Sequence, residues 1–153
     1  MLKVDIQLIQ GDFRLDATLD MRDPVLGLFG PSGSGKSTLL AALAGLKQPA
    51  TGRILVGERL VFDADAGINL PPYRRRVGLM FQEGHLFPHL NVRANLRYGI
   101  RSVQSVPRIF AFDRVVDLLE IAPLLARPVL SLSGGEKQRV ALGRTLLAAP
   151  ELL

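Results

Sequence analysis

The sequence has no cysteine, only two histidines and no long apolar run. Without cysteine the chain can form neither disulfides nor thiolate metal sites, and this composition is compatible with a reducing compartment. No apolar run approaches the about 18 residues that a membrane-spanning helix requires. The early charges of Lys3 and Asp5 do not resemble a signal peptide, so we expect a soluble intracellular protein.

Repeats and low-complexity tracts are also absent, and heptads do not persist long enough for a coiled coil. The 153 residues are 48% hydrophobic, which suits one globular domain. The net charge of +5 permits an anionic partner such as a nucleotide, a nucleic acid or a lipid surface. The charge alone does not choose among these partners.

Apolar residues alternate with polar ones at the start of the chain, which predicts two strands joined by a turn at Gly11 and Asp12. The apolar positions are Val4, Ile6 and Leu8, then Phe13, Leu15, Ala17 and Leu19. The continuous apolar runs Pro24–Phe29 and Val77–Phe81 instead predict strands buried on both faces of a parallel sheet. Two further short strands are predicted at Arg53–Val56 and Arg59–Phe62.

A helix is predicted for EKQRVALGRTLLAA, Glu136–Ala149, and three more come before it. One starts at Lys36 and stops at Gly45. Another follows Asn91, which is placed to cap it. In a third, apolar residues recur at the spacing of one helix face, at Phe112, Val115, Val116 and Leu119.

The stretch GPSGSGKS, Gly30 to Ser37, fits the pattern G-x-x-x-x-G-K-S between a predicted strand and a predicted helix. Its glycines let backbone amides point at phosphate oxygens, Lys36 reaches the β- and γ-phosphates, and the Ser37 hydroxyl can bind Mg²⁺. A glycine-rich turn without a ligand is disfavoured because both the spacing and the flanking elements agree. The predicted nucleotide-binding residues are Gly30, Pro31, Ser32, Gly33, Ser34, Gly35, Lys36, Ser37 and Thr38.

A second glycine-containing stretch, SLSGGEKQR, spans Ser131 to Arg139. Ser133 and Glu136 have the spacing of a capping box, in which each side chain accepts a hydrogen bond from the other residue's backbone amide. The cap does not explain Gly134 and Gly135. Glycines there leave amides uncovered at the positive end of a helix dipole, which indicates an anion.

A phosphate-binding loop followed by this helix start resembles the ATP-binding cassette (ABC) ATPases, in which the two stretches are the Walker A loop and the signature motif. Glu136 stands where the commonest signature has Gln. The resemblance covers essentially the whole chain. It implies an α/β P-loop fold with an N-terminal antiparallel β portion, a parallel-sheet core and an inserted helical subdomain. The implied boundaries are 1–82 for the β portion and P-loop core, 83–132 for the subdomain, and 133–153 for the signature helix and the start of the Walker B strand.

The resemblance also implies roles for single residues. Gln82 matches the family's Q-loop glutamine, which senses Mg²⁺ and the attacking water; taken alone it is an ordinary polar residue at a strand end. Lys36 and Gln82 are then catalytic, and Ser37 and Gln82 are then Mg²⁺ ligands. Because two cassettes meet head to tail in this family, the γ-phosphate of an ATP on a second copy would be bound by Ser133, Gly134, Gly135 and Glu136.

Three other features have competing interpretations. Phe13 either stacks on adenine or belongs to the core of its strand. His85 and His89 lack a third ligand and have Pro88 between them, so we do not expect a metal there. The run Arg74–Arg76 is more typical of a solvated face or an intersubunit contact than of nucleic-acid binding, and no nucleic acid is expected.

The short interval between Gln82 and Ser133 has no room for the long coiled coils of DNA-associated ABC ATPases, so a transporter is favoured. The stretches around both residues look most like the ATPase subunit of molybdate importers, with sulfate, polyamine and sugar importers as alternatives. The resemblance implies ATP and Mg²⁺, a second copy of the chain, transmembrane permease subunits, an indirect periplasmic solute-binding partner, and a peripheral location at the cytoplasmic face of the inner membrane. Leu86, Phe87 and Leu90 then either face the permease or pack within the subdomain.

The family's next motifs are the Walker B aspartate, a catalytic glutamate and a switch histidine, and they would follow the final APELL. The similar stretch Val115–Glu120 has helical periodicity and precedes the signature, so it does not replace them. We therefore expect a piece of an ATPase without its C-terminal part. Without carboxylates to position water, it should bind MgATP better than it hydrolyses it.

Overall fold

The computed structural model describes residues 1–101 and 110–153, without the side chain of Arg101. Contacts divide the chain into two compact units, residues 1–77 with Leu152 and residues 78–151 with Leu153. Within the described ranges, every helix is too short or too polar to span a bilayer. The functional boundaries at 82/83 and 132/133 stay a prediction.

The first unit contains a five-stranded antiparallel sheet in the order β2-β1-β3-β4-β5. The strands are β1 Leu2–Gln10, β2 Phe13–Met21, β3 Thr51–Val56, β4 Arg59–Asp63 and β5 Ile68–Asn69. The N-terminal hairpin is confirmed, with a register that runs from Leu2 opposite Met21 to Gln10 opposite Phe13. The two short strands are confirmed as β3 and β4, whereas β5 lies in a segment whose polar composition indicates a loop.

Alternation along β1 builds the core of this unit. Its inward residues Leu2, Val4, Ile6 and Leu8 are between 2% and 4% exposed, and burying each side chain contributes roughly 1.5–3 kcal/mol. The helix α1, Lys36–Leu43, packs on this core through Leu39, Ala42 and Leu43. The position of α1 next to the hairpin places the start of that helix beside β2.

A buried arginine caps the C-terminal end of α1. Arg75 ends the short helix α2, Pro72–Arg75, and is fully buried. Its guanidinium donates to the carbonyl oxygens of Ala42 (2.7 Å), Leu43 (3.2 Å) and Leu70 (2.7 Å), and to Asn69 Oδ1 (2.7 Å). At the last turn of α1 it thus supplies a charged donor to the Leu43 carbonyl and a second donor to the Ala42 carbonyl, which also accepts from the Gly45 amide at 3.1 Å. The solvated-face interpretation of Arg74–Arg76 is wrong for Arg75.

The two strands predicted for a parallel sheet are not observed. Pro24–Phe29 has no strand geometry, and Val25 and Phe29 are 82% and 96% exposed. In Val77–Phe81 only Val77 is paired, in an isolated parallel bridge to Leu152. An interior parallel strand needs partner strands on both sides for its backbone hydrogen bonds. Within the described residues this bridge is the only parallel pairing, so neither run has the partners that it requires.

The second unit is helical. Its helices are α3 Val92–Arg101, α4 Phe112–Leu118 and α5 Gly134–Leu147, with 3₁₀ turns at Ala122–Leu124 and Val129–Ser131. The cap at Asn91 is confirmed, because its Oδ1 accepts from the Ala94 amide at 2.8 Å. The predicted apolar face of α4 is confirmed as well, with Val115 and Val116 buried and Phe112 and Leu119 packed at the edge of the core.

Helices α3 and α5 approach each other closely at Gly99. A β-carbon at this position would collide with the carbonyl oxygen of Arg144. Gly99 therefore lets the α3 backbone lie against α5, which brings Tyr98 on α3 to the face that carries Arg144.

Candidate functional site

The loop before α1 has the backbone conformation that its glycines permit. Gly33 and Gly35 have φ angles of +82° and +93°, and Gly35 is the N-cap of α1. A β-carbon at Gly35 would lie 2.9 Å from Leu15 Cδ1 and 3.1 Å from Phe13 Cζ. Both the left-handed backbone and the contact with β2 therefore require glycine at this position.

Lys36 holds this loop closed around its ammonium group. Its Nζ donates to the carbonyl oxygens of Gly30 and Pro31, both at 2.8 Å, and to Ser34 Oγ at 3.3 Å. The three acceptors belong to residues 30, 31 and 34, so the lysine connects the two ends of the loop. The same ammonium can donate to phosphate oxygens.

The N-terminus of α1 is arranged for an anion. Its first intrahelical hydrogen bond runs from the Leu39 amide to the Gly35 carbonyl at 2.8 Å, so the earlier amides have no acceptor within the helix. No side chain caps the helix, and its first turn contains no acidic residue. The positive end of the helix dipole is therefore not neutralised by a carboxylate, and the exposed Ser37 hydroxyl lies next to it.

An open cleft of about 690 Å³ runs from this loop to the end of the hairpin. It is lined by Gln10, Phe13, Ser32, Gly33, Gly35, Lys36, Ser37 and Thr38. Phe13 is 36% exposed, so part of its ring is available to a ligand. Gln10 is a lining residue that our sequence analysis missed. The hairpin register places Gln10 opposite Phe13, and this register was the signal that could have found it.

The start of α5 contains the predicted capping box. The Ser133 amide donates to Glu136 Oε2 at 2.7 Å, and the Glu136 amide donates to Ser133 Oγ at 3.3 Å. These bonds lower the pKa of Glu136, first through the Ser133 backbone and then through its side chain, with Arg127 and Arg139 adding to the effect. Glu136 is therefore favoured in its ionised form, with its carboxylate held by Ser133.

The two glycines after Ser133 are uncovered. A β-carbon added at Gly134 or Gly135 would meet no atom within 4 Å beyond the helix's own backbone. Packing in this unit therefore gives no reason for glycine at either position. The open surface instead leaves the first amides of α5 accessible to a partner.

Gln82 is exposed in a turn directly after Phe81. Its backbone carbonyl accepts a hydrogen bond from the Gln138 side chain, so the backbone at Gln82 is attached to α5. The structure thus places Lys36, Ser37 and Phe13 together in the first unit, and Gln82, Ser133 and Glu136 in the second.

The apolar residues after Gln82 pack within their own unit. Leu86 lies against the helical core, and the ring centroids of Phe87 and Tyr98 are 4.5 Å apart. The fully buried Asn95 holds the backbone of this stretch, since its Oδ1 accepts from the Phe87 amide at 2.9 Å and its Nδ2 donates to the Leu90 carbonyl at 3.2 Å. Packing within the subdomain, one of the two interpretations, is therefore observed for Leu86 and Phe87.

Comparison with known proteins connects these features. A family model described as "ABC transporter" matches residues 16–153. The chain is 50% identical over 153 residues to the Molybdenum import ATP-binding protein ModC of Paramagnetospirillum magneticum, covering 100% of the chain and 42% of that protein. It is 51% identical over 152 residues to the protein of the same name from Mesorhizobium japonicum, covering 99% of the chain and 41% of that protein. The chain thus spans about two fifths of the length of these curated relatives.

Solved structures support the same fold. The dimeric structure of a post-hydrolysis ATP-binding cassette bound to ADP and Pi matches with a TM-score of 0.72 and 25% identity, covering 98% of this chain and 71% of that one. The ATP-binding subunit of an ABC transporter matches with a TM-score of 0.74 and 21% identity, covering 97% and 62%, and supports the fold alone. These matches confirm the fold class expected from the two motifs.

Proposed function

This chain belongs to the ABC transporter family, and we propose that it forms the nucleotide-binding part of an importer's ATPase subunit, which binds MgATP at Gly30 to Thr38. One observation carries the proposal: a lysine-centred loop continues into a helix whose N-terminus has no capping side chain and no acid in its first turn. This arrangement combines backbone donors, a fixed cation and a helix dipole at one point.

Each part of the nucleotide has a residue of matching chemistry. Lys36 exchanges its loop carbonyls for β- and γ-phosphate oxygens, and the amides at the start of α1 hold the remaining oxygens. The exposed ring of Phe13 stacks on adenine at the cleft wall. Ser37 and Gln82 offer a hydroxyl and an amide oxygen, the hard oxygen donors that Mg²⁺ prefers, and the ion would neutralise charge that develops on the phosphates.

The start of α5 binds the γ-phosphate of an ATP held by a second copy of the chain. Support comes from the uncovered amides at Gly134 and Gly135 and from the Ser133 hydroxyl beside them. Glu136 holds Ser133 in place through the capping box, so the helix end is fixed before the nucleotide arrives. A matched cassette is itself described as dimeric with ADP and Pi bound.

In the whole protein, Lys36 and Gln82 take part in ATP hydrolysis, and hydrolysis drives solute import through transmembrane permease subunits at the cytoplasmic face of the membrane. Molybdate is the proposed solute because the matched relatives are named molybdenum import proteins. A periplasmic solute-binding protein would act on the permease rather than on this chain. The residues that line the cleft include no carboxylate to orient water, so for residues 1–153 alone we expect nucleotide binding with ATP turnover at background.

A comparison of three variants tests the shared site. Lys36→Ala should lower MgATP affinity at least about tenfold, because it removes a charge-assisted contact to phosphate. Ser133→Arg should leave MgATP affinity unchanged and abolish ATP-dependent pairing of copies, since Ser133 belongs to the other copy's site. Lys3→Ala, at an exposed lysine paired with Asp20, is the matched control for charge removal. Calorimetry and size-exclusion chromatography with MgATP measure the two effects, and equal loss of binding in Lys36→Ala and Ser133→Arg would contradict the proposal.

A further inference from the structure

The stretch of residues 81–90, here called the Gln82 loop, forms neither helix nor strand. Its carbonyl groups therefore lack the regular partners of a helix or a sheet. At its start the Gly84 amide donates to the Phe81 carbonyl at 3.0 Å, and two side chains of α5 supply the further donors. This raises the question of what the attachment to α5 does for Gln82.

Gln138 holds the first part of the Gln82 loop. Its Nε2 donates to the carbonyl oxygen of Phe81 at 3.4 Å and also to that of Gln82. One amide group thus bridges the two residues between which the chain turns. The backbone that carries the Gln82 side chain is therefore fixed by a residue five positions after Ser133 in the signature helix.

Arg144 holds the next part of the loop. Its Nη2 donates to the carbonyl oxygens of His85 at 2.9 Å and Gly84 at 3.4 Å, and its guanidinium lies 5.0 Å from the centre of the Phe87 ring. Burial lowers the pKa of Arg144, since it disfavours the charged form, although an arginine stays protonated. An apolar side chain could fill the same space but would leave these carbonyls without their donor.

Between these two attachments the loop lies directly on α5. A β-carbon at Gly84 would be 3.4 Å from the Lys137 carbonyl oxygen and 3.6 Å from the Ala141 side chain. The loop thus contacts α5 at Lys137, Gln138, Ala141 and Arg144, over two turns of the helix. Since α5 is a continuous helix of 14 residues from Gly134 to Leu147, its N-terminus and these contacts move together.

We propose that Gln138 and Arg144 are positioning residues that attach the Gln82 loop to the helix that starts at Ser133, so that Gln82 follows every displacement of that helix. This inference rests on the proposed function, in which Ser133 meets a nucleotide held by a second copy. Docking of that nucleotide against α5 then moves the Gln82 side chain of the same chain through four carbonyl hydrogen bonds. The binding state of one ATP is thereby communicated to the residue that serves the other.

Two substitutions remove the donors with little change of shape. Gln138→Glu is isosteric and places an acceptor where a donor is needed. Arg144→Met keeps an unbranched side chain but removes the guanidinium, while Arg144→Lys retains a charged donor and should restore part of the attachment. Arg139→Met is the matched control, because Arg139 lies on the same helix, is exposed and pairs with Glu120 at 3.6 Å, away from the loop.

The first measurement uses the absence of cysteine from the chain. A nitroxide attached at Glu83→Cys, an exposed position, reports the mobility of the Gln82 loop by electron spin resonance. Gln138→Glu and Arg144→Met should each make this label markedly more mobile, Arg144→Lys should reverse part of the change, and Arg139→Met should leave the spectrum unchanged. If both donor-removing variants, with wild-type circular dichroism, give the wild-type spectrum, the attachment does not exist and the proposal is wrong.

The second measurement separates positioning from general damage. In the ATPase assembled with its transmembrane partners, both variants should lower kcat about tenfold and keep the KM for ATP within about twofold, because the P-loop is untouched. A parallel rise in KM, or an unchanged kcat, would overturn the proposal. Failure of the proposed function looks different: Lys36→Ala would then retain MgATP binding, while the label at residue 83 would still report whether Gln138 and Arg144 hold the loop.

Discussion

The two helix starts that contain glycine, those of α1 and α5, differ in how they are capped. The N-terminus of α1 has glycine as its cap, a left-handed backbone and no capping side chain, and the cation that holds its loop comes from Lys36. The N-terminus of α5 has a complete capping box, with Ser133 and Glu136 each satisfying an amide of the other. The first start has no side-chain acceptor for its amides, whereas the second has acceptors from Ser133 and Glu136. This difference suits a primary anion-binding site at α1 and a second site at α5 that completes it.

The largest effect is expected at Gly35. Gly35→Ala should destabilise the fold by about 2–4 kcal/mol, because alanine is strained at this φ and its β-carbon would press on Leu15 and Phe13. MgATP binding should be lost with it. Chemical denaturation and calorimetry measure both effects.

The matched control is Gly134→Ala at the other helix start, where a β-carbon meets open space. Its effect on stability should stay within about 0.5 kcal/mol. Equal destabilisation by the two alanines would show that the two starts are not built differently.

The next largest effect is expected at the opposite end of α1. Arg75→Met should cost about 2–4 kcal/mol of unfolding free energy, because the buried carbonyls of Ala42 and Leu43 and the part-buried carbonyl of Leu70 lose a charged donor. Arg74→Met, at the exposed neighbour, should change stability by less than about 0.5 kcal/mol. Denaturant unfolding of both variants tests this, and similar values for the two would contradict the capping role of Arg75.

Arg75 is also an example of a structural role that could not be predicted from the sequence. The P-loop, the hairpin and the capping box depend on residues close in the chain, so their spacing alone predicts them. The run Arg74–Arg76 contains no local sign of which arginine turns inward, because its acceptors at Ala42 and Leu43 lie far away in sequence. Pro24–Phe29 has the composition of an interior strand, but its pairing depends on partner strands that composition cannot reveal.

The attachments of the Gln82 loop were unpredictable for the same reason. Gln138 and Arg144 have the composition of an ordinary helix surface, and only the folded unit places them beside carbonyls of residues 81–85. Asn95 likewise shows no pattern in sequence, although it is fully buried and holds the far end of the loop. The residues proposed to contact nucleotide follow motifs, whereas Gln138, Arg144 and Asn95, which hold the Gln82 loop, do not.

A smaller effect is expected at the N-terminus of α5. Ser133→Ala should destabilise the second unit by about 1 kcal/mol through loss of the N-cap, and it should leave MgATP binding at the P-loop unchanged. Thermal unfolding and calorimetry provide the two readings. Loss of MgATP affinity in this variant would mean that Ser133 supports the P-loop of its own chain.

The smallest effect concerns pH. The pKa of Glu136 is lowered in the folded chain by the Ser133 hydrogen bonds, so its contribution to stability is fully present above the ordinary glutamate pKa near 4.5. This contribution is lost as the pH falls through the lower folded value. Glu136→Gln can still accept from the Ser133 amide and does not titrate there. The free energy of unfolding, measured from pH 6 to pH 3, should therefore fall more steeply for the wild type than for Glu136→Gln. Parallel curves for the two proteins would contradict the role of Glu136.

The hold of Lys36 on its own loop has a consequence for ligand choice. A newly arriving anion must displace two carbonyls and a hydroxyl from the ammonium before it gains the full charge. A small ion with few oxygens regains little binding free energy in that exchange, while a polyphosphate that also reaches the amides of α1 regains more. We therefore expect Lys36 to disfavour inorganic phosphate relative to a polyphosphate, at the expense of some of the affinity that an unrestrained ammonium would give.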